Sequence, residues 1–342
     1  VNAGCKSTNK FSFIGLFGNC MAIFYKFDAK INEMKPLRNL EIDKILEILR
    51  ENDIESTYEK VNTIPDSRVL YHKISDYIET DKFARRAVLG IDIYRYGMFQ
   101  HLEQTLIPFV FKILFNKTIR LCLESNQYVF QTYTKEIIEQ SFISTGDGGF
   151  LILETPLHAV IFAINFEMVV RSYNSFHLFP RLRKIIGSLS LRYAITYDTL
   201  FQFDQNFYGS AIINNARILN KDNLNRCLID ESCFNWFLIN IDGIENLQVY
   251  TIYDIANVYD FQDYDSKYIV EGNNEVIPNK TSRYDGIINS DILKIGQIQS
   301  KEVFLNIYNL HLQVSLNIRS DSSQDMKRLI TISLGNLNTS GI

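Results

Sequence analysis

Apolar side chains recur along the chain at helical and strand spacings, and their order is informative. From Leu40 on, apolar residues at Ile42, Ile45, Leu46, Ile48 and Leu49 sit among polar ones at the interval of an amphipathic helix. Pro36, just ahead of them, suits a first helical turn. The mostly polar stretch from Glu51 to Ser67 reads as a connection. Ala87 to Ile93 is an apolar run broken only by Asp92, which predicts a central strand with a carboxylate at its tip. Helical spacing returns over 98–115, at Met98, Leu102, Leu106, Phe109, Val110, Ile113 and Leu114, with Pro108 placed to kink or divide the helix. Ile137 to Ser144 and Phe150 to Leu153 flank Thr145-Gly146-Asp147-Gly148-Gly149 and predict a β-hairpin around a glycine-rich turn. Thr155-Pro156 supplies an N-cap and a first-turn proline for an apolar helix reaching about Val170. Leu189 to Thr196 predicts a further strand, and Gly209 to Leu219 a short helix.

Strand, helix, hairpin, helix, strand is the βαββαβ plan, an α/β (α+β) arrangement whose helices cover one sheet face. It spans about 85–225 of the chain. Past Asp230 helical periodicity weakens. Leu247 to Tyr253, Glu302 to Ile307, Leu312 to Ile318 and Leu329 to Leu334 predict strands between Asn- and Asp-rich turns. The expected organisation is an N-terminal extension over 1–80, a core over 81–230 and a β-rich C-terminal module over 231–342, the last being either separate or an elaboration of the core.

Composition narrows the classes. With 342 residues, 46% of them hydrophobic, the chain has enough apolar surface for about two domains and does not read as disordered. Lys plus Arg is 35 against 39 Asp plus Glu, a formal charge of −4, so this is no polyanion-binding composition. Five scattered cysteines with no CxxC pair, and no HExxH grouping, point to a reducing, cytoplasmic setting without structural zinc. The apolar run from Phe11 to Tyr25, interrupted by Ser12, Gly15, Gly18 and Asn19, is short for a bilayer span and reads as strand or core material, so no stable membrane span is expected.

The candidate chemistry is a pair of carboxylates. Asp92 ends an apolar strand and Asp147 lies in the turn of a hairpin able to pair beside it. If the strands are neighbours, both reach one edge, where their repulsion favours a cation between them. Hard divalent ions, Mg²⁺ or Mn²⁺, take such oxygen donors, and the Ile93 carbonyl offers another. Separately, an aspartate at a strand end is a common cap and Gly-Asp-Gly a common turn; the joint placement is what counts. No GxxxxGK[ST] stretch is present.

Ala87-Val88-Leu89-Gly90-Ile91-Asp92-Ile93-Tyr94-Arg95-Tyr96 resembles the first metal-binding strand of class III nucleotide cyclase catalytic domains. Thr145-Gly146-Asp147 resembles their second metal-binding turn. Phe207-Tyr208-Gly209-Ser210-Ala211, followed by Ala216-Arg217-Ile218-Leu219, resembles the segment entering their catalytic helix. The resemblance implies a ferredoxin-like cyclase core, two divalent cations on Asp92 and Asp147, and a nucleoside triphosphate substrate. It also implies a guanidinium from Arg217 at the α-phosphorus and an active site formed between two protomers of a homodimer.

The departures from that pattern are specific. An adenylate cyclase would have lysine where Ile143 stands and a base-reading aspartate where Asn206 stands. Aligning on Arg217 puts Ile213 at the position of the catalytic asparagine, and using Asn214 or Asn215 instead needs a register shift. The altered set resembles bacterial pyrimidine cyclases of anti-phage defence, which implies UTP or CTP as substrate. An amide at Asn206 would then address the base, with Ile143, Tyr94, Tyr96 and Asn214 as further substrate-side candidates. Two alternatives stand: a cyclase-like fold that binds nucleotide without turnover, favoured by the missing asparagine, and a βαββαβ nucleic-acid-binding module, disfavoured by the charge and by the absence of a basic-aromatic string.

Overall fold

The computed structural model describes residues 36–52, 67–248, 252–255, 258, 284–300, 303–319 and 327–342. The Phe11–Tyr25 run, Cys5, Cys20 and most of the expected Glu51–Ser67 connection lie outside these residues. The elements begin with β1 (Asn39–Leu40), α1 (Ile42–Asn52), α2 (Arg68–Ile78), β2 (Ala84–Ile93) and α3 (His101–Ser125). They continue with α4 (Lys135–Gln140), β3 (Phe142–Ser144), β4 (Gly148–Leu153), α5 (Pro156–Asn174) and α6 (Pro180–Ile186). Then come β5 (Leu191–Phe203), β6 (Asn206–Tyr208), α7 (Ser210–Lys221), β7 (Cys227–Asp230) and α8 (Glu231–Ile241). The chain closes with α9 (Ile252–Ile255), β8 (Tyr284–Ser300), β9 (Val303–Arg319) and β10 (Lys327–Leu334).

The fold is mixed α and β. The main sheet runs β10–β9–β7–β5–β2–β4–β3, with β8 paired along β9 and β1 and β6 paired to the far end of β5. β2 is antiparallel to both neighbours, β4 and β5, while β5 and β7 are parallel. Residues beyond 230 share this sheet, because β9 bonds directly to β7 through pairs such as Cys227 with Leu310.

The two faces of β2 are buried differently. Ala87, Leu89, Ile91 and Ile93 join an apolar cluster with α3 and α5. α5 is buried on every side: each residue from Pro156 to Phe166 is buried, the polar His158 and Asn165 included, as expected for a helix enclosed by a sheet and neighbouring helices. On the opposite face, Gly90 leaves room for α7. A Cβ there would fall 2.0 Å from Asn215 Oδ1 and 2.7 Å from Leu219 Cδ1. That approach lets buried Asn215 donate through Nδ2 to the carbonyls of Val88 (2.7 Å) and Ala194 (2.9 Å), stapling α7 across two strands.

Several expectations change. α1 begins at Ile42, and Pro36 lies ahead of β1, outside any helix. α3 extends to Ser125 and passes through Pro108 undivided. The proline lacks the N–H that would bond the carbonyl of Gln104, and the Tyr96 hydroxyl donates to that carbonyl instead, at 3.0 Å. Only the end of the expected Ile137–Ser144 strand is β, since Thr134 Oγ1 caps a helix by accepting from the Ile137 N–H at 3.3 Å. In the expected strand Leu247–Tyr253, Leu247 belongs to a 3₁₀ turn, Ile244–Gln248, and Ile252 opens α9. Ile244 with Leu247, and Ile255 with Val258, bury side chains at a three-residue spacing, a helical rather than a strand period. Of the expected Glu302–Ile307 strand, Glu302 lies outside the described residues; 303–307 and Leu312–Ile318 fall in the single strand β9, whose polar Asn309 and His311 are buried rather than turn-forming. β8 and α8 are additional; α8 starts where Asp230 Oδ1 accepts from the Cys233 N–H at 2.8 Å.

Candidate functional site

The β2–β4 pairing decides where the two carboxylates go. Asp92 is opposite Gly148, and the Ile93 N–H donates to the Asp147 carbonyl at 3.3 Å. The strands approach so closely that a Cβ on Gly148 would meet the Ile91 carbonyl oxygen at 2.0 Å, so glycine is required there. The turn before it uses Gly146 at φ +106°, a backbone region that side chains with a Cβ avoid. Asp92 and Asp147 line one cavity of about 430 Å³ with Ile93, Tyr94, Tyr96 and Arg192, and Arg95, Gly97 and Asn223 complete its wall.

Asp92 is not alone in that cavity. β5 runs opposite β2 with Arg192 in register with Asp92, and the Arg192 guanidinium donates through Nε to the carboxylate. Its other arm donates to the Asp222 carbonyl. Burial pushes the Asp92 carboxyl above its ordinary value; Arg192 pulls against the rise, and the charge of Asp147 adds to it. Among the described residues, no group of three or more His, Cys, Asp or Glu side chains is arranged to hold a metal ion. Two carboxylates and the backbone at Ile93 nonetheless make an all-oxygen donor set, the chemistry that suits Mg²⁺ or Mn²⁺. In that sense the residues fit such an ion, with one side of Asp92 facing a guanidinium.

The remaining sequence candidates divide. Tyr94 borders the cavity, its hydroxyl donating to the Asn223 carbonyl at 3.2 Å and its ring lying beneath the Arg95 guanidinium at 4.9 Å. Tyr96 reaches the cavity wall while its hydroxyl is committed to Gln104. Ile143, Asn206, Asn214 and Arg217 do not line the cavity. Ile143 packs against an apolar cluster that includes Val88, Ile152 and Ala211. Asn206 is exposed on β6, its amide 3.4 Å from the Asp204 carbonyl. Buried Asn214 accepts from Arg217 at 3.2 Å, and Ile213 projects outward, half exposed. Asn215 is taken up by sheet carbonyls. Arg95 and Asn223 carried no chemical signal in the sequence; only the path of the chain after β2 and α7 brings them to the cavity.

No family model matches this chain, and no curated protein matches it. Solved structures align with it at low similarity. An adenylate/guanylate cyclase/hydrolase from Silicibacter pomeroyi shares 12% identity over 66% of this chain and 95% of its own, with a TM-score of 0.34. The adenylyl cyclase CyaB from P. aeruginosa shares 12% over 71% and 96%, with a TM-score of 0.35. Adenylate cyclases from Trypanosoma brucei, in their monomeric state, share 12% over 71% and 92%, with a TM-score of 0.36. Alignments at this level assign neither a reaction nor a role to any residue. Among the described residues, no helix is long and apolar enough to cross a membrane.

Proposed function

We propose that residues 81–230 form a metal-dependent nucleotide cyclase that converts UTP or CTP to its 3′,5′-cyclic monophosphate and pyrophosphate. The observation that carries this reading is the meeting of Asp92 and Asp147 in one cavity beside Arg192. The strand order β3–β4–β2–β5, with every neighbouring pair antiparallel, supports a ferredoxin-like βαββαβ core. Two divalent cations held by Asp92, Asp147 and the Ile93 carbonyl would stabilise triphosphate charge and lower the pKa of the ribose 3′-hydroxyl.

The chain's own residues do the rest. Asp92 and Asp147 would hold those ions at one end of the cavity, and the Tyr94 ring closes one side of it. The 3′-oxygen bonds to the α-phosphorus as the bond to the bridging oxygen breaks; pyrophosphate leaves with the electron pair, and the hydroxyl proton passes to solvent. Arg217 and Asn206 lie outside this cavity, so the reading places them opposite it in a homodimer, where Arg217 meets charge at the α-phosphorus and Asn206 faces the base. The loss of a lysine at Ile143 and of an aspartate at Asn206 supports a pyrimidine, and with it a second messenger made in the cytoplasm during anti-phage defence.

Incubating the protein with each of ATP, GTP, CTP and UTP in Mn²⁺ and identifying products by mass spectrometry tests the reaction. Cyclic UMP or cyclic CMP is expected. No cyclic nucleotide from any triphosphate overturns turnover and favours the second reading, nucleotide binding alone. That second reading draws on the guanidinium already set against Asp92 and on Ile213 in place of an asparagine.

A further inference from the structure

A chain of polar contacts runs from the C-terminal tail to Asp92. Arg226, just before β7, is 1% exposed. It pairs with Asp222 at 2.7 Å and donates to the tail carbonyls of Asn338 (3.3 Å) and Ser340 (2.6 Å). Asn309 of β9 grips the same tail, donating to the carbonyls of Asn336 (2.7 Å) and Asn338 (3.3 Å). Asn336 in turn donates to the carbonyl of Asn225 at 2.9 Å. The turn 222–226 is therefore held from both ends. The carbonyl of Asp222, presented by that turn, accepts from Arg192, and Arg192 donates to Asp92.

We propose that Arg226 and the 336–340 tail are positioning elements that hold Arg192 against Asp92 as a resident cation, one that a divalent ion must displace. The inference rests on the metal-binding reading of Asp92 and Asp147. Its physics is competition between two cations for one carboxylate. Arg192 loses little freedom on docking because its second arm is anchored to a carbonyl that cannot move while the buried ion pair and the tail stay in place. Loosening the turn weakens the anchor and so favours the incoming ion. The tail thereby sets the ion affinity of a cavity it does not touch.

The test is Mn²⁺ affinity of the full chain, read by electron paramagnetic resonance without nucleotide, with the melting temperature followed in parallel. Arg192→Gln removes the competing charge and should tighten binding about tenfold. Arg226→Lys keeps a cation on Asp222 but gives up the forked contacts to the tail, and should tighten binding about threefold. In the Arg192→Gln background the same change should add nothing, a non-additivity that a merely structural Arg226 does not produce. If Arg226→Lys fails to fold, a chain ending at Leu337 takes its place in the cycle. Unchanged affinity, or an equal shift in both backgrounds, overturns the positioning role while leaving an Asp92-dependent site intact. Mn²⁺ binding that is absent throughout, or that persists unchanged in Asp92→Asn, overturns the metal reading as well.

Discussion

Two arginine–aspartate pairs lie within one turn of each other in this fold, and they differ in almost every consequence. The Asp222 and Arg226 side chains are each about 2% exposed and bonded to each other, and Arg226 also donates to the tail carbonyls. Asp92 and Arg192 are 18% and 24% exposed and face an open cavity with a second carboxylate, Asp147, on its wall. In the buried pair each charge exists for the other, and removing one strands its partner in a medium that cannot solvate it. In the edge pair the solvent and the cavity can take over either charge, so the carboxylate is available to something else. The same two residue types make a scaffold in one place and a candidate site a few ångströms away; burial sets the difference.

The comparison breaks first at the edge pair. Asp92→Ala and Asp147→Ala should each lower the proposed cyclase turnover by about a thousandfold, roughly 4 kcal/mol of transition-state stabilisation. Their melting temperatures should stay near that of the parent, because neither aspartate is fully buried. Full activity in either variant removes the proposed mechanism. Arg226→Met should do the reverse, costing about 3 to 5 kcal/mol in urea denaturation by leaving Asp222 uncompensated. A loss below about 1 kcal/mol would mean the buried pair is no more than an ornament of the edge one. Gly90→Ala comes next, at about 2 to 3 kcal/mol, since its methyl group collides with the Asn215 amide that staples α7. A neutral Gly90→Ala would show that α7 is free to shift, and with it the turn that carries Asp222.

How much of this could be read from the sequence follows from the range of each interaction. β2, α5 and the 145–149 turn were legible because their signals are local: an unbroken apolar run, a Thr-Pro start, a glycine cluster. The meeting of Asp92 and Asp147 was legible as a conditional, and the condition is met by the β2–β4 register. Arg192 opposite Asp92 was not legible, because it depends on the register between strands about a hundred residues apart, and one residue of slip would turn the side chain to the other face. β8 is not legible in the sequence, since its apolar residues are diluted by Asn, Ser, Asp and Gln on a strand at the sheet edge. That Pro108 leaves α3 undivided is not legible for a similar reason: the hydroxyl that takes the freed carbonyl comes from Tyr96, outside the helix.

The smallest effect separates the two sides of β5 by pH. Glu167 of α5 accepts from the Tyr193 hydroxyl at 2.9 Å, on the opposite side of the sheet from α7, and burial pushes its carboxyl up to about 7 against the pull of that hydrogen bond. Its folded value is above its unfolded one, near 4.3, so between roughly pH 4.3 and 7 the folded chain holds a proton that the unfolded chain has released. Stability therefore falls as pH rises through that window, and the loss is complete above it. Asp230, pushed up to about 6 by burial, adds a loss of the same sign over a lower range. Glu167→Gln removes the first contribution and keeps the second. Urea denaturation at pH 5 and pH 8 should show the parent losing about 2 kcal/mol more than the variant across that interval. Equal losses would mean that water reaches Glu167 and solvates its charge, and that the α5 side of β5 is as open to solvent as the edge where Asp92 sits.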